Sequence, residues 1–72
     1  MIITRELLAS LTFRTFTQND YYGFAGVNSP VPLIAETNEL LVIIDGGYCE
    51  LYSAENEFGE PVDTCDDINQ LP

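Results

Sequence analysis

The feature that most constrains the fold is the apolar run LLVII at residues 40–44, which contains no polar side chain. Its β-branched residues favour a strand. Successive side chains of a strand point to opposite faces, so an unbroken apolar strand needs cover on both faces of its sheet. In a chain of 72 residues, we expect two short helices to cover one face. Either the C-terminal tail covers the other, or that face is an interface.

Turn signals on both sides of this run predict an antiparallel meander over residues 33–53. Residues 37–38 (Thr-Asn) suit a turn after a short apolar strand at 33–36, and residues 45–47 (Asp-Gly-Gly) supply positive backbone dihedrals for a tight hairpin. Residues 48–53 then alternate as a third strand. Cys49 and Leu51 would face one side, and Tyr48, Glu50 and Tyr52 the other.

The N-terminal part predicts two short helices with similar starts. Thr4 suits an N-cap, and Ile3 before it can pack on Leu8 as a hydrophobic staple. In the second helix Thr17 would be the N-cap and Asp20 the capping-box acid. We therefore expect a pair of capped helices packed on the sheet.

The segments around these elements carry further signals. The linker 12–16 should form a corner between the helices, with Phe16 packing on Tyr21. Gly26 would end the second helix in a left-handed conformation. The run VNSPVP at residues 27–32 breaks any helix, because it contains two prolines.

The tail, residues 54–72, contains six acids together with turn signals. Thr64 with Asp67 predicts one last capped helical turn. The two cysteines, Cys49 and Cys65, are expected to be reduced thiols, with a disulfide as the alternative in an oxidising compartment. The whole predicts one α+β domain over residues 1–72, with a helical part (1–26), a three- to four-stranded antiparallel meander (33–53) and an acidic tail (54–72).

Charge is segregated along the chain. Residues 36–72 carry ten Asp and Glu and no Lys, Arg or His, whereas residues 1–35 are neutral. Direct binding to nucleic acid is therefore not expected, because affinity for phosphate comes from Lys and Arg. An anionic membrane surface would repel the chain for the same reason. No segment resembles a signal peptide or a membrane span, which predicts a cytoplasmic protein.

The residue types also argue against catalysis and cofactors. Without His or Lys, the commonest general base and the usual amine nucleophile are missing, so we expect no enzyme. Two cysteines without histidines do not make a zinc site. Residues 55–57 and 63–67 offer oxygen ligands for calcium, but their spacing does not match an EF-hand. We expect no metal and no other cofactor, with a calcium site of lower specificity as the alternative.

The acids are instead candidates for a binding surface. A solvated face that only keeps the protein soluble is one interpretation. The other is a row of carboxylates at the spacing of backbone phosphates, which would bind the basic groove of a nucleic-acid-binding protein. Tyr48 and Tyr52 would then be exposed rim anchors that stack on arginine, although ordinary cross-strand packing is the alternative. The predicted contact residues are Glu50, Glu55, Glu57, Glu60, Asp63, Asp66, Asp67, Tyr48 and Tyr52.

Two features carry a resemblance to known proteins: the base-free acidic half, and the segments FTQNDYYGFAG and PLIAETNELLVIIDGGYCELY. In size and charge it resembles the small acidic accessory proteins of bacteriophages, among them anti-CRISPR and anti-restriction proteins and other DNA mimics. The resemblance implies an inhibitor in the host cytoplasm that occupies the basic groove of a nuclease, restriction or CRISPR component. The alternative function is a protein-interaction or assembly module, such as a homodimer, that uses the apolar sheet face while the acids only solubilise it.

Overall fold

The computed structural model describes residues 2–24, 26–56 and 59–72, which form an α+β fold with a five-stranded antiparallel sheet. The strands lie side by side in chain order, β1-β2-β3-β4-β5. In chain order the elements are α1 (Arg5–Ser10), β1 (Arg14–Thr15), α2 (Gln18–Gly23), β2 (Leu33–Glu36), β3 (Leu40–Asp45), β4 (Tyr48–Ser53), a 3-10 turn (Ala54–Asn56), β5 (Asp63–Cys65) and a second 3-10 turn (Ile68–Gln70).

The predicted meander is confirmed, because β2, β3 and β4 pair in sequence. The hairpin between β3 and β4 closes with Asp45 opposite Tyr48, which leaves Gly46 and Gly47 as a two-residue turn. Gly46 has a φ of 67° and is the one described residue with positive φ. A positive φ at the first central position only is the pattern of a type II′ turn, whose twist matches that of the strands.

Two strands lie outside the predicted meander. The linker 12–16 does more than turn a corner, since Arg14 and Thr15 pair with β2 as a two-residue edge strand. The tail contains β5, in which Cys65 lies directly opposite Cys49 of β4. Both thiols are free. Segments of two and three residues are too short to show an alternating pattern, so the sequence did not reveal them.

The N-termini of both helices are capped by the residues that the sequence predicts. Thr4 caps α1, its hydroxyl oxygen accepting a hydrogen bond from the backbone N–H of Leu7 at 3.0 Å. The Asp20 carboxylate accepts one from the backbone N–H of Thr17 at 2.7 Å, as a capping-box acid does. The rings of Phe16 and Tyr21 pack edge to face with centroids 5.2 Å apart. The hydrophobic staple predicted for α2 is thus present.

Two predicted caps are wrong. α2 ends at Gly23 with Phe24 as its C-cap, and Gly26 has no positive φ. Thr64 lies in β5 and does not cap the last turn. Asp67 is the cap itself, because its carboxylate accepts a hydrogen bond from the backbone N–H of Asn69 at 2.9 Å.

The sheet is buried on both faces, and the two helices lie on opposite faces. On one face α1 and the last turn pack over Leu40, Val42 and Ile44. On the other face Phe16 and Phe24, which flank α2, pack over the cluster formed by Ile34, Leu41, Ile43 and Tyr52. The expectation that both helices share one face was wrong. The tail covers the same face as α1.

Contacts between distant segments close the fold. The backbone N–H of Ile3 donates to the Asp63 carboxylate at 2.8 Å, across 60 residues of chain. The Arg5 side chain donates to the carbonyl oxygen of Leu71 at 2.7 Å.

Among the described residues, no helix is long and apolar enough to cross a membrane.

Candidate functional site

Because the strands lie side by side in chain order, the charges that are separated along the sequence are also separated across the sheet. β1 carries Arg14, and the strands from β3 to β5 contain no basic residue. Arg14 is itself neutralised at the β1 edge, where its guanidinium lies 2.6 Å from Asp20 and 3.1 Å from Glu36. The opposite side of the sheet, formed by β4, β5 and residues 54–56, 59–62 and 66–67, is here called the acidic edge.

The predicted carboxylates lie at both ends of the acidic edge and in its middle, where Asp63 pairs with Leu51 next to Glu50. Glu55 and Glu60 are exposed near the end of β4, and Asp66 is exposed beyond the end of β5, beside the start of β4. Glu50 lies half-buried in the middle of β4. The six residues of β4 span roughly 20 Å at about 3.3 Å per residue. Glu57 lies outside the described residues.

Two of the predicted contact residues hold the fold together. The Asp63 carboxylate accepts the hydrogen bond from the backbone of Ile3 at 2.8 Å. The Asp67 carboxylate accepts hydrogen bonds from the backbone and the side-chain amide of Asn69 at 2.9 and 3.1 Å. Both still add negative charge to the acidic edge. One oxygen of each carboxylate is nevertheless committed to a structural bond. The sequence indicated a capping role for Asp67 but no structural role for Asp63.

The two tyrosines differ in exposure. Tyr52 is only 7% exposed and packs on Phe24 with ring centroids 5.7 Å apart, so it belongs to the core and is no exposed rim anchor. Burial raises the pKa of Tyr52 to about 12, and the charge of Glu50 contributes. Tyr48 is half-buried. Burial also raises the pKa of Tyr48, with smaller contributions from the charges of Glu50 and Asp66. Glu50 therefore lies beside both phenol groups.

A cleft of about 460 Å³ opens on this face of the sheet. β4 forms one wall with Tyr48, Glu50 and Tyr52, and the chain after α2 forms another with Phe24 and Asn28. Asp45 also lines the cleft, but its carboxylate accepts hydrogen bonds from the backbone of Asn28 at 3.0 Å and of Ser29 at 2.6 Å. The sequence indicated the tyrosines and Glu50. It did not indicate Phe24, because the conformation after α2 was mispredicted.

Other site chemistries find little support in the described residues. No group of three Asp, Glu, His or Cys side chains there could hold a metal ion. Burial raises the pKa of the Cys49 thiol to about 12, with the nearby Cys65 adding to the effect, so Cys49 is a poor nucleophile. The apolar sheet face required by an assembly module is already covered within one chain, since Val42 and Ile44 are 0% and 9% exposed.

Comparisons of the chain with protein families, curated proteins and solved structures find no match.

Proposed function

We propose that this chain binds the basic groove of a nucleic-acid-binding protein and blocks it by mimicking a nucleic acid. The observation that supports the proposal is the acidic edge, where carboxylates follow one another without an intervening base. The partner would be a nuclease, restriction or CRISPR component, as the resemblance to phage inhibitors implies. Catalysis plays no part in this function, since occupation of the groove is sufficient for inhibition.

The charge of the acidic edge is comparable with that of one nucleic-acid strand. A strand of duplex DNA carries a phosphate about every 3.4 Å, which is about six over roughly 20 Å. The described acidic edge carries the same number of carboxylates, on β4 and β5 and on the segments just beyond their ends: Glu50, Glu55, Glu60, Asp63, Asp66 and Asp67. Opposite fields also accelerate association, so binding should be fast and sensitive to salt.

Displacement of DNA tests this function. A labelled DNA duplex is bound in turn to a restriction endonuclease, a CRISPR nuclease and a DNA-packaging protein, and the chain is titrated in. We expect displacement from at least one of them, weakening by about tenfold or more between 50 and 200 mM salt, as for ligands that make several phosphate-like contacts.

Matched variants separate the acidic edge from net charge alone. Glu60→Gln with Asp66→Asn removes two charges from the acidic edge, and Glu6→Gln with Glu36→Gln removes two exposed charges elsewhere. The first pair should weaken displacement severalfold more than the second. Equal effects of the two pairs, or displacement that is insensitive to salt, would argue for nonspecific charge or for another binding mode.

A further inference from the structure

We infer that the cleft beside β4 is a receptor for a single arginine side chain, whose guanidinium pairs with Glu50 and stacks on Tyr48. The inference rests on the proposed function, since the basic partner would supply the arginine. It goes further by locating one specific contact on a surface that otherwise works through general charge.

The cleft has the size and lining of a binding site. Its volume of about 460 Å³ falls within the roughly 300–1,000 Å³ typical of ligand pockets. Rings of Phe24, Tyr48 and Tyr52 supply apolar and π surface, and Glu50 supplies a charged acceptor. This combination suits a flat cation that has both an apolar face and directed hydrogen-bond donors.

In the part of the chain that the structure describes, no basic side chain forms an ion pair with Glu50. Its neighbours across the sheet are Ile43 and Thr64. Arg14 shares this face of the sheet but lies three strands away, roughly 14 Å at about 4.8 Å per strand, and it is bound to Asp20. That separation exceeds the Debye length of about 8 Å at physiological ionic strength. The negative charge of the cleft is thus available to an external cation.

The lining favours a guanidinium over an ammonium group. A guanidinium is planar, is weakly hydrated, stacks on aromatic rings and binds a carboxylate through two parallel hydrogen bonds. The half-buried Tyr48 ring lies beside Glu50 on the same strand face, so one group can contact both. Tyr52 is packed against Phe24 and forms a fixed floor. Asp45 adds negative potential, although its oxygens are held by Asn28 and Ser29.

The test uses single amino acids as probes, followed by two-dimensional NMR. N-acetylarginine amide, N-acetyllysine amide and the neutral N-acetylcitrulline amide are titrated into the labelled chain. We expect saturable shifts at Tyr48, Glu50 and Asn28 with arginine, weaker binding of lysine and no saturable binding of citrulline. Equal binding of all three probes, or no saturable shift with arginine, would overturn the inference.

Variants assign the effect to the cleft. Glu50→Gln should weaken binding of the arginine probe by about tenfold, the size expected for loss of a charged hydrogen bond. Glu6→Gln, which changes net charge equally on an exposed surface outside the acidic edge, should change binding less than twofold. Should Glu50→Gln fail to fold, Tyr48→Leu removes the stacking surface and should also weaken binding severalfold. Normal binding by either folded cleft variant would contradict the assignment.

This experiment and the displacement assay can fail separately. The arginine probe contains no nucleic-acid-binding groove, so its binding reports on the cleft alone. DNA displacement without arginine binding would overturn the inference of an arginine site in the cleft and leave the proposed function intact. Arginine binding without displacement of DNA from any basic protein would support the cleft and count against nucleic-acid mimicry.

Discussion

Asp20 shows how much structure a single carboxylate can organise in this chain. It accepts hydrogen bonds from the Arg14 guanidinium at 2.6 Å and from the backbone N–H and hydroxyl of Thr17 at 2.7 and 3.0 Å. The Arg14 hydrogen bond is the main reason that the pKa of Asp20 falls from its usual 3.8 to about 2, and the bonds from Thr17 contribute. The same residue thus starts α2 and fixes it to β1.

Asp20→Asn should reduce stability in a pH-dependent way. Because the folded state holds the pKa below its unfolded value, the stabilisation is present above about pH 4 and is lost as pH falls towards 2. With allowance for the half-exposed Arg14, we expect a loss of about 1–2 kcal/mol at neutral pH. Urea unfolding of both proteins at several pH values measures the difference, which should shrink below pH 4.

The control for this prediction is Glu36→Gln, which removes the other partner of Arg14. Both side chains of that pair are 48% exposed, so the change should cost at most about 0.5 kcal/mol. A cost equal to that of Asp20→Asn would show that the capping role of Asp20 contributes little.

Individual side-chain roles were predictable only where the partner is near in sequence. The Thr4 cap and the Asp20 capping-box acid were found because their partners lie three residues away. The role of Asp63 was not, because its partner is the backbone of Ile3, 60 residues away. Burial of Tyr52 was likewise hidden, since it depends on the packing of Phe24 after α2.

The β3–β4 hairpin depends on one backbone conformation. Gly46 has a φ of 67°, and a Cβ atom added there would meet nothing within 4 Å. Any cost of Gly46→Ala is therefore backbone strain, which for an L-residue in the left-handed region is about 1–2 kcal/mol. Thermal and urea unfolding should show that loss.

Gly26→Ala is the matched control for the hairpin glycine. A Cβ atom there also meets nothing within 4 Å, and its φ is not positive. The substitution should be neutral, or stabilising by about 0.4–1 kcal/mol through the reduced entropy of the unfolded chain. Similar losses at both glycines would refute backbone strain as the reason.

The three longer strands were predictable from the sequence, and the two short edge strands were not. β2, β3 and β4 followed from the turn signals at residues 37–38 and 45–47 and from the unbroken apolar run. β1 and β5 contain two and three residues, and their pairing depends on edges that the central strands first create. The sequence also did not reveal that the helices lie on opposite faces. The chain passes through β1 between α1 and α2, and β1 was not predicted.

For the whole molecule, a formal net charge of −10 predicts self-repulsion in the folded state. Added salt screens this repulsion, so the melting temperature should rise as sodium chloride increases from 10 to 300 mM. Glu60→Gln should raise stability at low salt by a few tenths of a kcal/mol, since exposed surface changes stay within about 0.5 kcal/mol. A melting temperature that falls with salt would mean that ion pairs outweigh the repulsion.

The agreement between strand order and chain order affects how the molecule forms. Each strand from β2 to β5 pairs with the strand just before it, and the pairings β2–β3 and β3–β4 close short loops at a small entropic cost. Topologies rich in such local pairings fold quickly. The sheet can therefore grow strand by strand as the chain leaves the ribosome. The bond from Ile3 to Asp63 has to wait until the last strand is made.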